Sequence, residues 1–318
     1  MTRRQVLKLA GYLLACLPFA IVAEKESSIS GLPTPFVGVY WDCYHDACPK
    51  LSEIPTDATG VGGYNTIFIF QVLPSGTKGD LRFDCSSAQT VASLKTDIAA
   101  KRAAGISVRL TFGGAGGYLA ISSPAIATTL VSSLQTIIDS IGPVDGLDWD
   151  IEGGDLYPTE MTWIGQQLKS IYGSDFVITM APKPDDTTQA RAAQTMYQGG
   201  ALDCVSPQFY EQGALTHAEM ISNVTDRIDN IWLPAVGGNA AAIGLGFELA
   251  AADNTTEDYM GPATAVTCWQ NVQTAHPGLR GAFVWNASEE ASDGALFIND
   301  VAPSIAGRTP APTPIPSI

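Results

Sequence analysis

Histidine is scarce in this chain of 318 residues: there are three, His45, His217 and His276. Cysteine does not make up for it. Cys43, His45 and Cys48 sit close together, but no second cysteine pair follows at ligand spacing, so no zinc centre or other metal site is expected. Cations are few, 17 against 32 acids, and the formal net charge is −15. A chain this acidic repels phosphate backbones and anionic lipid, which argues against nucleic-acid or membrane-surface binding and leaves a neutral partner. No glycine-rich dinucleotide turn follows the first strand-like run, and no cofactor is called for. Apolar runs of membrane-spanning length are also missing. The apolar stretch at residues 9–23 is too short for a stable insertion.

That stretch, with Arg3, Arg4 and Lys8 before it, has the form of an export signal over 1–23. The segment Thr2-Arg3-Arg4-Gln5-Val6-Leu7-Lys8 is similar to a bacterial twin-arginine signal. Leu13-Leu14-Ala15-Cys16 hints at lipoprotein cleavage, but the residues after Cys16 stay apolar through Ala23, which argues against it. A secreted, extracellular protein is therefore expected, and export favours disulfides. Of the five cysteines left after cleavage, Cys43 and Cys48 are placed to staple a loop. The odd number leaves one thiol over, and Cys204, on an apolar strand, is the candidate.

After a loose segment at 24–35, β-prone runs alternate with helical patterns. Strands are expected at 36–41, 64–72, 106–112, 146–152, 176–181, 204–210, 243–249 and 279–285. Helices are expected at 88–104, 125–141, 159–172, 188–197, 217–231 and 258–275, with a last one from 293 to about 305. Eight such repeats predict a single α/β domain over 36–306, an eight-stranded (β/α)8 TIM barrel. An open doubly wound sheet is the alternative. Residues 307–318, with Pro310, Pro312, Pro314 and Pro316, form a proline-rich tail.

Within the fourth strand, residues 145–152 read Asp-Gly-Leu-Asp-Trp-Asp-Ile-Glu. Alternation puts Asp148, Asp150 and Glu152 on one face and Leu147, Trp149 and Ile151 on the other. Three neighbouring anions resist burial, an arrangement suited to pushing carboxyl pKa values apart for proton transfer. In a barrel of this kind chemistry gathers at the C-terminal strand ends, where Glu152, Tyr210 and Trp285 fall.

The run resembles the D-G-x-D-x-D-x-E signature of glycoside hydrolase family 18, which holds chitinases and related endo-N-acetylglucosaminidases. Thr111-Phe112-Gly113-Gly114 is similar to the family's S-x-G-G, Met180-Ala181-Pro182 to its M-A-P, and Gln208-Phe209-Tyr210 to its Q-x-Y. Tyr40-Trp41 resembles the Y-W of the hevamine-like branch. The resemblance covers about residues 36–305. It implies Glu152 as general acid, Asp150 and Tyr210 as partners of the substrate acetamide, and Asp148 as support for Asp150. It implies Trp285 as the sugar platform, and substrate contacts at Tyr40, Met180, Gln208, Gly113 and Gly114. The substrate would be chitin or N-acetylglucosamine oligosaccharides, cleaved with retention through an oxazolinium ion by a monomer.

Two rim positions depart from the pattern. Lys183 follows the M-A-P run where many relatives carry Glu, and Glu211 follows Tyr210 where Asn is frequent. Trp41, Trp149, Trp163, Trp232 and Trp269 read as packing residues. The short link after the seventh strand leaves no room for an inserted α+β domain, so an open cleft suited to endo cleavage is expected. An endo-β-N-acetylglucosaminidase acting on N-glycans uses the same motif. A chitin-binding lectin is the reading from another class, and it is disfavoured because both Asp150 and Glu152 are present.

Overall fold

The computed structural model describes residues 31–44, 48–83, 85, 89–256 and 259–307. The expected export signal, most of the 24–35 segment, His45 and the tail beyond 307 lie outside the described residues.

The strands are β1 (Phe36–Asp42), β2 (Thr66–Pro74), β3 (Leu81–Phe83), β4 (Ser107–Gly113), β5 (Gly146–Asp150), β6 (Val177–Met180), β7 (Cys204–Val205), β8 (Gly244–Glu248) and β9 (Gly281–Trp285). The helices are α1 (Val91–Ala103), α2 (Pro124–Ile141), α3 (Pro158–Tyr172), α4 (Thr187–Gln198), α5 (His217–Arg227), α6 (Leu233–Ala235), α7 (Pro262–Ala275), α8 (Ala287–Ser292) and α9 (Ala302–Ile305). Neighbouring strands run β7-β6-β5-β4-β2-β1-β9-β8. Every pair in that path is parallel. β3 pairs antiparallel with β2 and was not foreseen. The ring closes between β7 and β8 through the bridges Val205–Ile243 and Gln208–Gly246. This is the expected (β/α)8 barrel, and residues 249–261 lead directly from β8 to α7.

β7 is much shorter than the expected 204–210. Pro207 has no N–H to give a ladder, so regular pairing ends before it. The chain still follows the barrel wall, since the Phe209 N–H donates to Gly246 O at 2.9 Å. The helix expected at 217–231 also breaks. It is α5 to Arg227, then a wider π turn over Ile228–Trp232, then α6. A second π turn, Phe297–Val301, runs into α9. In both cases a proline, Pro234 or Pro303, stands at the second position after the turn. Its ring crowds the carbonyl four residues back, and the widened turn relieves that clash.

Strand alternation sorts the core into two clusters. Val39, Trp41, Leu147, Trp149 and Ile178 pack outward against the helices. Phe36, Tyr40, Phe68, Phe70, Tyr210 and Phe283 fill the barrel. Trp41, Trp149, Trp232 and Trp269 are buried, but Trp163 is 37% exposed on α3 and is not a packing residue. The expected cysteine staple is not formed: none of the five described cysteines carries a disulfide. The turn after β1 brings the Cys43 thiol into hydrogen-bonding contact with Cys85 instead. Cys48 donates to Asp42 Oδ1 at 3.4 Å. Cys204 is buried inside the barrel, as expected for that position.

Candidate active site

β5 ends at Asp150, and the chain continues through Ile151 to Glu152 at the barrel mouth. Asp148 and Asp150 are buried inside, 1% and 2% exposed. Glu152 is half-buried at the rim. The three acids therefore climb one face, as the alternation required.

Asp148, the deepest, is held by hydroxyls. Tyr40 donates to its Oδ2 at 2.6 Å and Thr179 to its Oδ1 at 2.6 Å, with Thr111 at 3.4 Å. Burial raises its pKa; the hydroxyls and the buried Arg109 guanidinium pull it back. Asp150 receives the Gln208 amide at 2.7 Å, and the same nitrogen also donates to Ala181 O at 3.0 Å. Burial, then the charges of Glu152 and Asp148, push Asp150 well above the carboxylate range. Glu152 is raised by burial first; Lys183 opposes the rise and Glu211 adds to it. The hydrogen bond joining the two carboxyls raises Asp150 and lowers Glu152. Burial and the same acids raise Tyr210, which keeps its phenol protonated as a donor.

Glu152 lines three adjoining hollows. One, of about 340 Å³, is walled by Tyr44, Phe70, Gln71, Tyr210, Glu211 and Trp285. The second, about 180 Å³, lies against Lys183, Asp185, Gln208 and Glu211. The third, about 530 Å³, follows residues 151–157 toward Asp186 and Gln189. The Trp285 ring stands at the first hollow, edge-on to Phe70 with centroids 4.8 Å apart. Non-proline cis peptide bonds, Phe70–Gln71 and Trp285–Asn286, flank the same wall.

Glu152, Asp150, Asp148, Tyr210, Gln208 and Trp285 thus come together. Four other expected contacts do not reach the cleft. Tyr40 is buried beneath its floor, with its hydroxyl on Asp148. Met180 points outward and packs among the helices. Alternation assigns the inward place to its neighbour Thr179, a residue the sequence reading passed over. Gly113 and Gly114 face protein, not substrate. A Cβ on Gly113, at φ +121°, would lie 1.9 Å from Asp150 O, and one on Gly114, at φ +89°, 2.3 Å from the Phe70 ring. Their lack of side chains lets the Gly114 N–H meet Asp150 O at 2.5 Å, which fixes the strand end carrying the acids. Tyr44 and Gln71 line the cleft without any motif to announce them.

No family model matches the chain. Over 130 residues it is 38% identical to Exochitinase 1 of Streptomyces olivaceoviridis; the match covers 34% of this chain and 22% of that protein. The chain thus spans about a fifth of that relative's length. Among solved structures it is similar to one described as a candidate chitinase A from Streptomyces coelicolor. That match has a TM-score of 0.72 and 26% identity, and covers 86% of this chain and 98% of the other. A family 18 chitinase from Chromobacterium violaceum follows at TM-score 0.69 and 20% identity, covering 86% and 85%.

Proposed function

We propose that this chain, a member of glycoside hydrolase family 18, is a secreted hevamine-like chitinase. It cuts β-1,4 links inside chains of N-acetylglucosamine. The observation that carries the reading is the ladder of Asp148, Asp150 and Glu152 opening on a cleft walled by Tyr210 and Trp285.

Glu152 protonates the leaving glycosidic oxygen and then takes a proton from water. Its raised pKa suits the first step. No second carboxylate is required as nucleophile, because the family is an exception to the two-carboxylate scheme. The 2-acetamido oxygen of the bound sugar attacks the anomeric carbon, and an oxazolinium ion forms. Asp150, when its proton is shared upward with Glu152, turns to the acetamide N–H and stabilises the developing positive charge. Asp148, within its ring of donating hydroxyls, shares the proton of Asp150, so the two titrate together. The Tyr210 phenol orients the acetamide oxygen, and the Trp285 face receives the apolar side of the distorted ring. The rim hollows on either side of Glu152 leave room for a chain that continues past the cut.

The test is product analysis on an N-acetylglucosamine hexamer with anomer detection. Internal cuts that yield β anomers are expected, and α products would exclude the oxazolinium route. Glu152→Gln should lower kcat at least ~100-fold, the upper end of what general acid–base catalysis supplies being ~10⁴. Activity confined to a high-mannose glycoprotein would move the assignment to an N-glycan endo-glucosaminidase. Retention on chitin beads without sugar release would move it to a lectin.

A further inference from the structure

Two side chains of opposite charge, Lys183 and Glu211, share a hollow with Glu152. Among the described residues, Lys183 is the one cation that lines the three hollows of Glu152. The backbone of Lys183 is anchored: buried Gln189 accepts the Lys183 N–H on Oε1 at 3.0 Å and donates Nε2 to Ile151 O at 3.1 Å. One side chain therefore ties the loop after β6 to the residue preceding Glu152. Glu211 lines the same hollow, directly after Tyr210, at φ +53°. Few side chains accept that left-handed backbone, and here it is imposed on a charged one. Its segment is tied in turn, with Gln208 N–H on Pro182 O at 2.9 Å and Gln212 Nε2 on Gln208 O at 3.4 Å.

A lysine beside a general acid favours the anion, the form that has no proton to give. A carboxylate beside it favours the neutral acid. The two pull the Glu152 carboxyl in those opposite directions. We propose that Glu211 is a positioning residue for the Glu152 proton, an anion whose task is to offset Lys183 in the shared cleft. The inference rests on the glycosidase reading above. The other groups facing Glu152 are Asp150 from β5, Tyr210 after β7 and Tyr44 after β1. Asp185 lines the same hollow, and Asp155, Tyr157 and Asp186 line the third. All of them are left intact in the test.

The test compares wild type, Glu211→Gln, Lys183→Gln and the double variant on an N-acetylglucosamine tetramer, with kcat/KM followed against pH at fixed ionic strength. Both side chains are exposed, so each single variant should move the upper pH limb by about half a unit. Glu211→Gln moves it down, Lys183→Gln moves it up, and the double variant returns it to the wild-type position. Molar salt should shrink both displacements. Carbon-detected NMR titration of the Glu152 carboxyl reads the same shifts without substrate. Displacements in the same direction, or a change in KM with an unmoved limb, would overturn the inference. A wild-type protein that leaves the tetramer intact at every pH would instead sink the glycosidase reading, and the NMR titration would still judge this one.

Discussion

A buried carboxyl needs donors, and Asp148 takes its three from Tyr40, Thr179 and Thr111. Thr179→Val keeps the shape of that side chain and removes one donor. It should cost about 1–3 kcal/mol of stability and reduce kcat with little change in KM, whereas Thr179→Ser should retain most of both. Equal activity for Val and wild type would show that the Asp148 cradle is idle in catalysis. The residues around Asp148 show where sequence reading succeeds and fails. The spacing of Asp148, Asp150 and Glu152 was enough to place them on one face. Met180 was chosen by its likeness to a motif, although alternation along β6 assigns the inward place to Thr179 and not to its neighbour. Tyr40 was read as a sugar contact from the likeness of Tyr40-Trp41 to the Y-W of the hevamine-like branch. Its burial depends on Phe68, Phe70 and Phe283 packing around it, from strands far apart in sequence.

At the scale of elements, the order of strands and helices was legible because each is a short unit with its own period. The ends were less so. β7 stops at Val205 for want of an N–H at Pro207, and the π turns before Pro234 and Pro303 depend on ring clashes a period count does not register. β3 offers three residues, too few for any pattern. The tight ending of β4 makes a sharper case. Gly114→Ala would drive a methyl into the Phe70 ring, and Gly113→Ala would drive one into the Asp150 backbone. Each should destabilise by at least about 2 kcal/mol, since the positive φ adds strain to the clash. Adding Phe70→Leu should recover part of the loss at 114 and none at 113, because a ring can be removed and a main-chain carbonyl cannot. Thermal melts of the four proteins check this. Equal rescue at both sites would contradict the packing described.

For the molecule as a whole, buried acid dominates the response to pH. Burial raises Asp148, Asp150, Glu152, Glu289 and Glu290. The folded chain thus holds protons that the unfolded chain would release. The stabilisation this gives is complete below the unfolded carboxyl pKa of about 4 and fades as pH rises through the raised folded values. Self-repulsion at a net charge of −15 acts in the same direction. Tm should therefore peak in mild acid and decline toward neutrality, and Asp150→Asn should flatten the decline. A Tm that climbs steadily to pH 8 would contradict the assignment. The barrel is not equally firm all round. β4 and β5 are laced along their length, from Arg109–Gly146 to Gly113–Asp150. β7 and β8 are fastened by two isolated bridges. The acids consequently ride on a stiff stave, while Gln208 and the phenol ride beside the joint in the hoop. Anything that forces the mouth wider should open that joint first, leaving the ladder of acids aligned while the opposite lip gives way.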